Sequence, residues 1–97
     1  MNDGKLRVKV EFYASIRGVF QEKERLVELE HLTTVRDALN LVCNTYEKRS
    51  RIFDQSGEIK PDINILKNGR HTKFLDGIET LLEDGDRIAI FPPVHGG

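Results

Sequence analysis

Thr34-Val35-Arg36-Asp37 opens the stretch of this chain with the least conformational choice. The Thr34 hydroxyl can accept from one of the first free N–H groups of a helix. Asp37, three residues on, can reach back to the Thr34 N–H, so the pair has the form of a capping box with Asp in place of the more usual Glu. Val35, Ala38, Leu39, Val42, Cys43 and Tyr46 then recur at three- and four-residue spacing and fall on one stripe. The pattern predicts a helix running to about Lys48 or Arg49, where basic side chains suit the negative end of the helix dipole. At about 1.5–3 kcal/mol for each fully buried large side chain, the stripe contributes on the order of 10 kcal/mol before conformational entropy opposes it. Such a stripe has to be laid against another apolar surface.

The strands to receive it are legible on both sides. Leu6-Arg7-Val8-Lys9-Val10-Glu11-Phe12 alternates apolar and charged residues, the period of a half-buried strand with Leu6, Val8, Val10 and Phe12 inward. Tyr13 then points to the face opposite Phe12. A turn region with Gly18 as pivot leads to a second strand over 24–30, with Val27 and Leu29 on one side. Residues 50–61 are polar, with Gly57 and Pro61, and read as a partly mobile loop. Ile63-Asn64-Ile65-Leu66-Lys67 is a third strand, and Asn68-Gly69 is a strong hairpin signal because both turn positions need positive φ. A short fourth strand returns around 71–74. Leu81-Leu82 anchors the next loop, Asp84-Gly85-Asp86 turns the chain, and the last strand covers Arg87 to Phe91. Hairpin, helix, hairpin, loop and last strand predict an α+β fold: a mixed four- to five-stranded sheet covered on one face by one main helix. This is a β-grasp-like order, with the first and last strands as parallel central neighbours. Tyr13 and Phe91 then project from the uncovered face, where an apolar patch marks a partner surface.

Ninety-seven residues hold one small core, so the expectation is a single domain over 1–97. The 15 Lys and Arg nearly cancel the 16 Asp and Glu and are spread along the chain, which argues against a nucleic-acid binder relying on a dense basic face. No apolar run approaches bilayer-spanning length, and no apolar signal region follows Met1-Asn2-Asp3-Gly4-Lys5. The single cysteine, Cys43, excludes an intramolecular disulfide and fits a reducing cytoplasm. It lies on the apolar stripe and reads as a small buried hydrophobe. His31, His71 and His95 lack metal-ligand spacing, Asp84-Gly85-Asp86 lacks the other ligands of a calcium loop, and no glycine-rich phosphate cradle is present.

What remains is the end of the sequence. Pro92 and Pro93 stop sheet pairing and stiffen the exit from the last strand, after which Val94, His95, Gly96 and Gly97 complete a thin, pliable tail over 92–97. A terminal carboxylate on Gly97, threaded into another protein's active site, suits this design, because side chains would obstruct a narrow channel.

The stretches Val8-Lys9-Val10-Glu11-Phe12-Tyr13-Ala14 with Arg17, Thr34 to Leu39, Lys67-Asn68-Gly69, Leu82 to Val94 and Gly96-Gly97 together resemble the small subunit of molybdopterin synthase. That family belongs to the ubiquitin-like sulfur carriers, as do the thiamine-pathway carriers. The resemblance implies a β-grasp fold with strand order 2-1-5-3-4. It implies that an ATP-dependent enzyme of the ubiquitin-activating type adenylates Gly97, and that a sulfur donor displaces AMP to leave a thiocarboxylate. The large synthase subunit would then receive the tail, with sulfur transferred during molybdenum cofactor synthesis. Gly97 would carry the sulfur and Gly96 give clearance. His95, Val94, Pro93 and Pro92 would thread the tail, and Tyr13, His71 and Phe91 would dock the partner. No cofactor is held permanently and no metal, membrane or direct nucleic-acid partner is implied. His95 departs from the small residue usual at its position. Two other readings stand beside this one: a ubiquitin-like modifier or tRNA-thiolation carrier using the same activated glycine, and a plain interaction module.

Overall fold

A computed structural model describes residues 4–93, so Val94, His95, Gly96 and Gly97, the expected tip, lie outside the described residues. Five strands form one sheet: β1 (Leu6–Phe12), β2 (Glu24–Leu29), β3 (Asn64–Lys67), β4 (Arg70–His71) and β5 (Arg87–Phe91). Their order is β2-β1-β5-β3-β4, with β1 and β5 parallel at the centre and the other pairs antiparallel. This is the β-grasp fold expected from the element order.

The alternation in β1 holds: Leu6, Val8, Val10 and Phe12 are buried, while Val27 and Leu29 of β2 join them on the same face. That inner face is covered by helix α2 (Val35–Val42), which buries Val35, Ala38, Leu39 and Val42. Its capping box is present: the Thr34 N–H donates to Asp37 Oδ2 at 2.8 Å, and the Asp37 N–H donates back to Thr34 Oγ1. Asn68 and Gly69 have φ of 51° and 85°, as the tight β3–β4 turn requires.

Four expectations are corrected. The helix does not run on to Lys48 or Arg49. It stops at Val42, Cys43 leaves helical geometry, and Thr45 caps a separate helix, α3 (Tyr46–Ile52), by accepting from the Lys48 N–H. A Thr side chain offers the backbone an alternative to continuing the helix. Tyr46 consequently lies 88% exposed and off the core stripe. Residues 50–61 are not simply a polar loop: Ile52 and Phe53 are buried in the core, and Phe53 bridges to Ile59. The turn around Gly18 is a short helix, α1 (Ser15–Phe20), which buries Ile16 and Phe20, with Phe20 stacked on Phe12 at 4.4 Å. The fourth strand is two residues long, and 72–74 form a 3-10 turn. Three helices thus share the cover expected of one.

Asp84-Gly85-Asp86 is a turn whose carboxylates tie strand ends together. Asp84 Oδ1 accepts from the Arg7 N–H at 2.7 Å, while Asp86, 6% exposed, accepts from Asn68 Nδ2 and the Glu83 N–H and faces Lys67 at 3.5 Å. Arg36 similarly joins α2 to Glu79 at 2.6 Å, to the Gly57 carbonyl and to Glu58.

Candidate functional site: the uncovered sheet face

Because strand residues alternate, each inward residue of the central strands leaves an outward neighbour. In register, Glu11 opposes Ala89, Asn64 opposes Phe91, and Leu66 opposes both Ala89 and His71. The end of this face nearest the last strand's exit is therefore a row running from Tyr13 through Phe91 and Asn64 to His71. The Tyr13 and Phe91 rings are stacked, with centroids 4.4 Å apart and planes 10° from parallel. Such a pair is worth about 0.5–1.5 kcal/mol beyond its buried area. Pro92 and Pro93 follow directly and are half-buried, so the exit of the chain is fixed beside the row.

Neighbours hold each member. The Tyr13 hydroxyl donates to Glu11 Oε1 at 2.9 Å, and this bond, with some burial, raises the phenol's pKa. Arg17 lies over the Tyr13 ring at 5.6 Å while its Nε donates to the Phe12 carbonyl. His71 is pinned at both ring nitrogens. Nδ1 accepts from the Lys73 N–H at 3.1 Å, which leaves Nε2 as the donor to Asn64 Oδ1, also at 3.1 Å. Burial, aided by the Lys73 charge, lowers the His71 pKa. The two hydrogen bonds hold the ring in the row and fix its orientation.

The three residues expected on a docking face, Tyr13, His71 and Phe91, are thus brought onto one face. Asn64 and Glu11 join them, although the sequence reading does not single them out. Both carry a signal: Asn64 is the polar interruption between Ile63 and Ile65, and Glu11 stands two residues before Tyr13 on the same side. Beside Asn64 and His71 a cleft of about 390 Å³ opens, walled by Ile59, Ile63, Ile65 and Ile78. Cys43 takes no part. It is 2% exposed, and burial pushes its thiol up to about 11. Among the described residues no group of three or more His, Cys, Asp or Glu could hold a metal ion, and no helix is long and apolar enough to cross a membrane.

A five-stranded β-grasp sheet with parallel central strands is the fold of ubiquitin-like domains. The chain belongs to the ThiS family, whose model matches residues 10–97. It is 37% identical over 92 residues to small archaeal modifier protein 3 of Haloferax volcanii, covering 95% of this chain and all of that one. It is 29% identical to the molybdopterin synthase sulfur carrier subunit of Mycobacterium tuberculosis, covering 95% of this chain and 99% of that one. The crystal structure of SAMP1 from Haloferax volcanii superposes with a TM-score of 0.81 at 29% identity, over 94% of this chain and 99% of that one. The chain is therefore a member of a ubiquitin-like family of sulfur carriers and protein modifiers, broader than the synthase branch alone.

Proposed function

We propose that this protein is a carrier whose working group is the carboxylate of Gly97. The observation that supports this most strongly is the family match running through residue 97. Strand β5 ends at Phe91, and the sequence matched beyond it is Pro92-Pro93-Val94-His95-Gly96-Gly97. The two glycines leave clearance for a narrow channel, and the stacked Tyr13–Phe91 pair gives the segment a rigid base.

The chemistry follows from the weakness of a carboxylate as an electrophile. In an activating partner of the ubiquitin-activating type, a Gly97 carboxylate oxygen attacks the α-phosphorus of ATP and pyrophosphate leaves. The resulting acyl-adenylate carries a good leaving group, AMP, which a sulfide equivalent displaces to give the thiocarboxylate. In the synthase-type fate, the tail enters the large subunit of molybdopterin synthase, the thiocarboxylate sulfur passes to the cyclic pyranopterin precursor bound there, and water returns Gly97 to a carboxylate. His95, Val94, Pro93 and Pro92 guide the tail into these sites, and Tyr13, Phe91 and His71 meet the partner's surface. ATP is the partner's substrate, and this chain contributes only the carboxylate and its presentation.

A second fate of the same activated glycine is supported by the 37% identity, over nearly the whole chain, to a protein named as a modifier. There a lysine amine replaces the sulfur nucleophile and an isopeptide bond results. Pyrophosphate exchange tests the shared step, and two cellular readouts separate the fates. The chain is incubated with an activating enzyme and ATP, with pyrophosphate exchange as the readout, and Gly97-linked lysine remnants are sought in cells by proteomics. Exchange that disappears when Gly97 is deleted supports the common step, and exchange that survives the deletion refutes it. Remnants assign the modifier fate, whereas a deletion strain deficient in molybdenum cofactor, with no remnants in its parent, assigns the sulfur fate.

A further inference from the structure

Ion pairs among the described residues are unevenly placed. On the sheet, on α2 and at the strand ends, Lys5, Arg7, Lys9, Arg25, Arg36 and Lys67 each face a carboxylate within 4 Å, whereas Arg70 and Arg87, at the far end of the sheet from the tail exit, make no such pair among the described residues. On α1 and α3 the cations bond to neutral partners. Lys48 donates to Asn44 Oδ1, Arg49 to Asn40 Oδ1, Arg51 to Ser15 Oγ and Arg17 to the Phe12 carbonyl. The two helices carry these four cations against a single carboxylate, Glu47, on a chain whose formal charge is −1. The near-zero total conceals this asymmetry.

The two helices also touch, and their position matters. The Arg51–Ser15 bond and the Lys48 ammonium 5.7 Å from the Phe20 ring join α3 to α1. Helix α1 begins where β1 ends, and β1 ends beside β5, so the cations stand at the same end of the molecule as the tail exit. Arg49 lies over Phe53 at 4.6 Å, in the wall of a cavity of about 500 Å³ that Tyr46, Ser50, Lys60 and the carboxylate-bearing Asp54 help to line, yet no ion pair joins Arg49 to Asp54. A guanidinium with one bond to Asn40 keeps further donors for a carboxylate.

We infer that the α1–α3 flank, through Lys48, Arg49, Arg51 and Arg17, is an electrostatic docking surface for an acidic patch on the protein that activates the tail. The inference rests on the proposed function for the identity of that partner. An acidic protein surface fits better than a nucleic acid, because four cations at one end form no stripe that tracks a phosphate backbone. A net positive charge at the tail-exit end would orient the encounter and raise the association rate.

The test uses the full chain and a ubiquitin-activating-type enzyme that adenylates it. Adenylation kinetics and direct binding are measured across a salt series for the native chain, the triple reversal Lys48→Glu/Arg49→Glu/Arg51→Glu, and the neutral Lys48→Gln/Arg49→Gln/Arg51→Gln. Arg70→Glu, at the opposite end of the sheet, is the control, and circular dichroism checks folding. The reversal should raise KM by about tenfold or more at low salt with kcat unchanged, and the gap should close as salt rises. The neutral variant should fall between, and Arg70→Glu should match the native chain. An unchanged KM in both flank variants, or an equal loss in Arg70→Glu, overturns the inference. So does flank-dependent binding of tRNA with KM unaffected, which would reassign the surface to nucleic acid. Deleting Gly97 separates the two readings. Adenylation that persists without Gly97 refutes the proposed function, whereas salt-dependent binding of the deleted chain still reports on the flank.

Discussion

Ile52 and Tyr46 stand at the two ends of α3 and on opposite sides of the core boundary, so replacing each by Ala locates that boundary. Ile52 is fully buried, whereas Tyr46 is 88% exposed. Truncating a buried Ile to Ala removes the transfer free energy of the lost methyl groups and leaves a cavity, at a combined cost of about 2–5 kcal/mol. Against a typical domain stability of about 5–15 kcal/mol, that is a large fraction. For a domain of this size each kcal/mol moves Tm by about 4–8 °C, so Ile52→Ala should melt at least about 8 °C below the native chain. Tyr46→Ala loses little packing and should stay within about 0.5 kcal/mol. Urea denaturation measures both, and a shifted midpoint with unchanged slope identifies a loss of native-state stability. A cost below about 1 kcal/mol for Ile52→Ala, with a larger one for Tyr46→Ala, would refute the two-helix arrangement and restore one continuous helix.

Other predictions concern the uncovered face and the turn that leads from it. Phe91→Ala removes the stack on Tyr13 and should cost only about 0.5–1.5 kcal/mol from the ring pair, plus a modest burial term, yet weaken partner binding measurably in a titration. Equal affinity would remove the row from the docking surface. His71 has a folded pKa below its ordinary value of 6.5, so the unfolded chain binds more protons. Its contribution to stability is therefore present above pH 6.5 and lost as pH falls through the folded pKa. Stability of the native chain should drop more steeply than that of His71→Gln on acidification below pH 6.5, and parallel curves would contradict the assignment. Ala14 has φ 51° and ψ −130°, the first central position of a type II′ turn closed by the Ile16 N–H donating to the Tyr13 carbonyl at 3.0 Å. A glycine there relieves strain, so Ala14→Gly should stabilise the chain by about 1 kcal/mol, against the usual cost of glycine. Thermal melts that show a loss would rule out that backbone geometry.

The sheet is legible in the sequence because its signals are local. Strict alternation in Leu6 to Phe12, Asn68-Gly69 and the Thr34–Asp37 box each state a backbone geometry within a few residues; their succession gives a β-grasp-like order, and the full strand order comes from the family resemblance. The helical breaks are less so. Tyr46 continues the spacing of Val42 and Cys43, and only Thr45, one cap among several polar residues, contradicts it. Ile52 and Phe53 are two apolar residues inside a polar run, too few to show a period, and their burial depends on long-range packing under the sheet. At the site, Tyr13 and Phe91 are legible as outward residues of two central strands. The His71–Asn64 bond is not, since it depends on which strands pair and in what register.

Whether Gly97 is the chemical end of the molecule can be read by top-down mass spectrometry of the full chain, after incubation with its activating enzyme, ATP and a sulfur donor. A carrier of the proposed kind exchanges one oxygen for sulfur, with fragmentation placing the change on Gly97. An unmodified terminus, from an enzyme that thiolates a control carrier in the same mixture, would contradict it.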